Sequence, residues 1–191
     1  MMRSGDVGRI VSVLLCLATG WSCGEHKSMG PGNSTIEVWM LESPDRVRGF
    51  QWPKRADGTA LDMCAVEHPA NYVVHVPDDR DARMWGKTST LQSDDGVVTY
   101  VSILPLNDLV PFPAAVSHAT ELARGMGIQD SVFFAKLSQL QRENPAPKAG
   151  LKYRARTSLG PRVVLDLEIT GHYSERGWFL VFQFSRKPAP R

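Results

Sequence analysis

The densest run of side chains able to hold a metal or move a proton is Asp62, Cys64, Glu67, His68, His75, Asp78, Asp79 and Asp81. Imidazole, thiolate and carboxylate are ligands of zinc and the common acids and bases of hydrolysis. Glu67, His68, His75 and Asp78 are the subset that a hydrolase or metal-dependent enzyme would use. Their spacing does not select such a site. Zinc needs three or four ligands converging at roughly 2.0 to 2.3 Å, whereas His68 and His75 are separated by Pro69 and a strand-like run rather than by a helical turn. Pro77-Asp78-Asp79-Arg80-Asp81 lacks the glycine and terminal carboxylate of an EF-hand loop and reads as a turn with carboxylates facing water. No third group is placed to complete a triad with Ser117-His118 or with Ser174. The chain contains no G-x-S-x-G, P-loop, H-E-x-x-H, C-x-x-C or G-x-G-x-x-G motif. The expectation is therefore no metal, no cofactor and a non-enzymatic role, with an enzyme using Glu67, His68, His75 and Asp78 as the alternative.

Aromatic residues offer a different chemistry, contact with a partner or ligand. Of the five tryptophans, Trp21 lies in an apolar N-terminal segment, while Trp39 and Trp178 fall in strand-like runs and read as core or seam residues. Trp52 and Trp85 fall in apparent loops. They are, with Phe179, the candidate contact surface. His118 sits at the edge of a helical apolar stripe, where a histidine packs its ring and wets its nitrogens, and His172 and Glu175 flank an expected turn.

The N-terminal segment carries the most specific layout in the chain. Arg3 and Arg9 precede an apolar run from Ile10 to Ala18, then the stretch Thr19-Gly20-Trp21-Ser22 and Cys23. A charged start, a short apolar stretch and small residues before a cut make a signal peptide, and the run is about half the roughly 20 residues a spanning helix needs. Gly20-Trp21-Ser22-Cys23 resembles the lipobox of bacterial lipoproteins, departing from it in Gly20 and the bulky Trp21 where that family favours leucine and a small residue. The resemblance implies a signal peptide over residues 1–22, acylation of Cys23 as the mature N-terminus, and a position outside the cytoplasmic membrane. Plain secretion or a periplasmic location is the alternative. Residues 24–34, rich in glycine and polar groups, read as a flexible tether.

Composition agrees with an ordinary globular body. The chain of 191 residues has 22 Lys plus Arg against 20 Asp plus Glu and 42% hydrophobic residues. A formal charge of +2, with no basic block, leaves little attraction for nucleic acid, so none is expected as a partner. The expected partners are the membrane, through the anchor, and a protein or small ligand. Cys16 goes with the leader and lipidation takes Cys23, which leaves Cys64 as a lone packed thiol.

The elements that must position these residues are read from periodicity. Thr35 to Leu41 alternates as a strand, Ser43 to Pro69 is broken by Pro and Gly with a helical turn expected around Leu61 to Val66, and Tyr72 to Val76 and Val97 to Leu104 are strands flanking a weaker one near Met84 to Thr90. Ala115, Ala119, Leu122 and Met126 share one helical face. A second helix, capped by Asp130 or Ser131, carries Phe133, Leu137 and Leu140. The C-terminal third alternates strictly and predicts a three-stranded meander. A loop at Leu159-Gly160-Pro161 sets Tyr153 opposite Leu167, Arg154 opposite Asp166 and Lys152 opposite Glu168, and a turn at Tyr173-Ser174 sets Ile169 opposite Trp178. Phe179, Val181 and Val164 then share the second face with Asp166 and Glu168, and the expected cover for them is the Ser43 to Pro69 excursion, with a partner or ligand as the alternative. The fold class is α+β: an antiparallel sheet of about six strands with a helical hairpin on one face, forming a single domain over residues 35–191. In element order it is similar to small envelope domains of the PsbP type.

Overall fold

The computed structural model describes residues 34–77, 81–105, 109–174 and 176–188; the leader, Cys23, most of the tether, Asp78, Asp79 and Glu175 lie outside them. The elements in chain order are β1 (Thr35–Trp39), β2 (Met63–Val66), β3 (Ala70–His75), β4 (Ala82–Gly86), β5 (Thr88–Asp94), β6 (Val97–Leu104), α1 (Phe112–Gly125), α2 (Ser131–Glu143), β7 (Lys152–Leu159), β8 (Val163–Gly171) and β9 (Trp178–Arg186). Six strands form an antiparallel sheet in the order β2-β5-β6-β9-β8-β7, so the expected α+β architecture and its C-terminal meander are present.

Strict alternation gives that sheet one apolar face. Cys64, Leu91, Val101, Phe184 and Leu165 are aligned by register across five strands and are all buried. Both helices pack on this inner face at the β7-β8-β9 end. Phe112, at the start of α1, meets Tyr153 and Trp178 edge to face, each at 4.8 Å between ring centres. Asp130 begins α2 as expected: Oδ1 accepts from the Val132 and Phe133 amides, while Oδ2 accepts from Thr157 Oγ1 at 2.7 Å, tying the helix to β7.

The other end of the inner face holds a layer that the sequence reading did not anticipate. β1 leaves the main sheet and pairs in parallel with β3, which pairs with β4 to make a second sheet in the order β1-β3-β4. The weak strand expected near Met84 to Thr90 is two strands, β4 and β5, joined at Lys87 as the chain passes from one sheet to the other. A side chain at Gly86, the last residue of β4, would strike Ile103 of the main sheet and Tyr72 of the second. The absence of a Cβ there lets the sheets approach.

Three local expectations need correction. The segment expected as a helical turn is β2, because Cys64 and Val66 alternate with Met63 and Ala65 and pair with Leu91 and Ser89 at the sheet edge. The β7-β8 loop is Gly160-Pro161-Arg162, with Gly160 at φ +65°, so Tyr153 faces Ile169, Arg154 faces Glu168 and Arg156 faces Asp166. In the same way Ile169 faces Leu180, and Trp178 faces Gly171. Each pairing is displaced by two residues, which returns every side chain to the same face and keeps the apolar pattern intact. Finally, the Ser43 to Pro69 excursion does not lie over the second face. It sends β2 to the sheet edge and Trp52 into the core.

Candidate functional site

Since both covering layers lie on the inner face, the opposite face of the main sheet has no layer over it among the described residues. Register places Ala65, Thr90, Ser102, Gln183, Asp166 and Arg156 in one continuous row across it. Beside that row stand Tyr100 on β6, Phe179 and Val181 on β9, Val164 and Glu168 on β8, and Lys152 and Arg154 on β7. Phe179 is half-buried, its ring edge-on to His172 at 4.9 Å. Val164 and Val181 are also partly exposed.

The charged end of this face is held rigidly. Glu168, only 4% exposed, accepts from Lys152 Nζ at 2.8 Å, Thr170 Oγ1 at 2.7 Å and Arg154 Nε at 2.8 Å, and Arg154 Nη2 lies in ion-pair contact at 2.7 Å. Asp166 takes Arg156 in a bidentate fork, Nε to Oδ1 at 2.6 Å and Nη2 to Oδ2 at 2.8 Å. Burial acts to raise the Glu168 carboxyl, and the bonds from Lys152, Thr170 and Arg154 outweigh it, so the group is held below its ordinary value. The bond to Asp166 holds Arg156 more firmly in its charged form. Tyr100 is shifted upward, first by burial and further by the Glu168 and Asp166 charges, so its phenol stays protonated. The arrangement is a preset row of ion pairs next to partly exposed apolar groups.

Among the described residues, Glu67 and His68 are not brought together with His75, and Asp78 lies outside those residues. His75 is joined to Asp81, Nδ1 to Oδ1 at 2.8 Å, and its Nε2 lies 3.7 Å from Glu37 Oε2. Its ring stacks on Trp39 at 4.2 Å, and the guanidinium groups of Arg46 and Arg48 each lie 5.3 Å from the Trp39 ring centre. Nε2 is closed to solvent, so this imidazole presents no free nitrogen to a substrate. Glu67 and His68 are exposed in the turn between β2 and β3. Among the described residues no group of three or more His, Cys, Asp or Glu is arranged to hold a metal ion. An open groove of about 440 Å³, with Pro111, Phe112, Pro145, Arg176 and Trp178 among its lining residues, contains none of these acid or base candidates.

The three aromatic candidates part company. Trp52 is buried at 4% exposure and its Nε1–H donates to the Leu61 carbonyl at 2.8 Å, which makes it a core residue and removes it from the contact surface. Trp85 is 39% exposed, on strand β4 rather than in a loop. Phe179 lies on the outer face described above, apart from Trp85. The His75, Asp81, Glu37 and Trp39 cluster was missed because its members are brought together by the parallel β1-β3 pairing, which leaves no trace in local spacing. Among the described residues no helix is long and apolar enough to cross a membrane. The chain matches no family model, no curated protein and no solved structure.

Proposed function

We propose that the protein is a lipid-anchored envelope lipoprotein, acylated at Cys23 and held outside the cytoplasmic membrane, that works as a non-enzymatic binding module through the outer face of its main sheet. The leader layout supports the address. The observation that carries the binding role is the outer face itself: Phe179, Val181 and Val164 stand partly exposed beside ion pairs already locked in place, with no layer over them among the described residues. Preset charges lose little side-chain freedom on contact, which favours binding.

The test is photo-crosslinking in the native host with benzophenone-alanine at position 179, and at exposed Val132 on α2 as the control. A discrete adduct from position 179 and none from 132 supports the reading. No adduct from 179, or equal adducts from both, contradicts it.

A further inference from the structure

The outer face ends at a strand edge with an unusual charge pattern. β7 is eight residues long, lies at the end of the sheet order and, among the described residues, pairs with β8 alone. The opposite edge strand, β2, has four residues. β7 contains no proline, and its register with β8 runs unbroken from Lys152↔Thr170 to Leu159↔Val163. Long regular edges of this kind are templates for an added strand unless something blunts them.

Main-chain polarity along β7 follows from one bond. The Gly171 N–H donates to the Leu151 carbonyl at 2.9 Å, which turns that carbonyl toward β8, while the Leu151 N–H closes a turn onto the Lys148 carbonyl at 3.0 Å. Alternation through the unbroken register turns the main-chain groups of Tyr153, Ala155, Thr157 and Leu159 toward β8, and leaves the N–H and C=O groups of Lys152, Arg154, Arg156 and Ser158 on the open edge. The side chains of these same residues lie on the outer face. The edge that would pair with a new strand therefore carries three cations at successive alternate residues, Lys152, Arg154 and Arg156, spaced about 6 to 7 Å apart, followed by Ser158.

The cations are oriented. Glu168 holds Lys152 and Arg154, and Asp166 holds Arg156; among the described residues Arg154 and Arg156 each engage through Nε and Nη2, which leaves their Nη1 hydrogens for a second carboxylate. The Arg154 and Arg156 side chains are 56% and 68% exposed. This row selects among possible occupants. A second copy pairing β7 to β7 would set cation against cation, which is unfavourable, whereas a strand with acidic residues at alternate positions would set a carboxylate beside each of them.

We infer that β7 is a docking edge for an extended acidic segment of a partner protein, which adds as a further strand and places alternate Asp or Glu side chains against Lys152, Arg154 and Arg156. This deepens the binding-module reading and rests on it. Its specificity is electrostatic and its register is set by main-chain bonds.

The test is an NMR titration of the full chain with an end-capped heptapeptide alternating Glu and Val. The controls are a Lys-Val heptapeptide and a Glu-Val heptapeptide N-methylated on alternate residues, in both possible phases. Saturable shifts at the Lys152, Arg154, Arg156 and Ser158 amides are expected, weakened by added salt, absent with the Lys-Val peptide and abolished by one phase of N-methylation. Arg156→Gln should weaken binding about threefold, from the scale of one cross-strand charge pair. Since the N-methylated peptides probe the edge without altering the protein, a folding defect in that variant does not spoil the test. Unshifted β7 amides, equal binding of the Lys-Val peptide, or indifference to both N-methylated peptides would overturn the inference. A positional crosslink at 179 alongside such a failure would leave the binding-module reading standing and remove only the acidic-strand assignment.

Discussion

Glu168→Gln is the most informative single perturbation of the outer face. The wild-type carboxylate accepts three hydrogen bonds, from Lys152, Thr170 and Arg154 Nε, and has a further ion-pair contact with Arg154 Nη2, at a site only 4% exposed. Removing one partner of a fully buried pair costs about 3 to 5 kcal/mol. Here the cations left behind have side chains 30% and 56% exposed and regain water, so the cost falls to about 1 to 3 kcal/mol. Glutamine keeps one acceptor for Thr170 or an arginine N–H, which places the expected loss near 2 kcal/mol at neutral pH. Urea unfolding at a series of pH values gives a second signature. The folded carboxyl titrates below its ordinary 4.5, so its contribution is complete above that value and is lost as pH falls through the folded one. The stability gap between wild type and variant should therefore close in acid. A variant as stable as wild type at neutral pH, or a gap that persists unchanged below the folded pKa, would refute the claim that this ion network is a stabilising, preset feature of the face.

Three further outcomes follow from the packing. Asp130→Ala removes the cap of α2 and its tie to Thr157 and should cost about 1 to 2 kcal/mol in thermal or urea unfolding, with Asp130→Asn costing less. Trp52→Ala should destabilise by about 3 to 5 kcal/mol, as a large buried residue does, while Trp85→Ala should cost less than about 1 kcal/mol; the reverse order would return Trp52 to the surface. Gly86→Ala should cost about 1 to 3 kcal/mol by forcing Ile103 and Tyr72 apart between the two sheets, read as a lower urea midpoint.

The meander illustrates what alternation can and cannot decide. Val163, Leu165, Leu167 and Ile169 demand one buried face, and they have it, but a displacement of two residues satisfies that demand equally. Only the loop separates the two registers, through Gly160 at φ +65° with Leu159 paired to Val163. The salt bridges moved with it: Lys152 still reaches Glu168 diagonally, while Arg154 exchanged Asp166 for Glu168. Long helices with a stripe and a cap were legible because their signals are local, as at Asp130. The second sheet was not, because Ile36 and Val38 read equally well as strands of either sheet and their partners Tyr72 and Val74 lie far along the chain. Trp52 was misplaced for a related reason: proline and glycine around it signal a loop correctly, but nothing local reveals that the loop returns its indole to the Leu61 carbonyl. Of the outer face, the identity of its residues was readable; that the Ser43 to Pro69 excursion leaves it open was not.

The address underlies the whole account, since a face offered to an envelope partner requires a chain that has left the cytoplasm. Intact mass spectrometry of the protein isolated from its own host tests this most directly. The account predicts a chain beginning at Cys23 with the added mass of acyl groups. A chain still beginning at Met1 or Met2, with a free thiol at position 23, would contradict it.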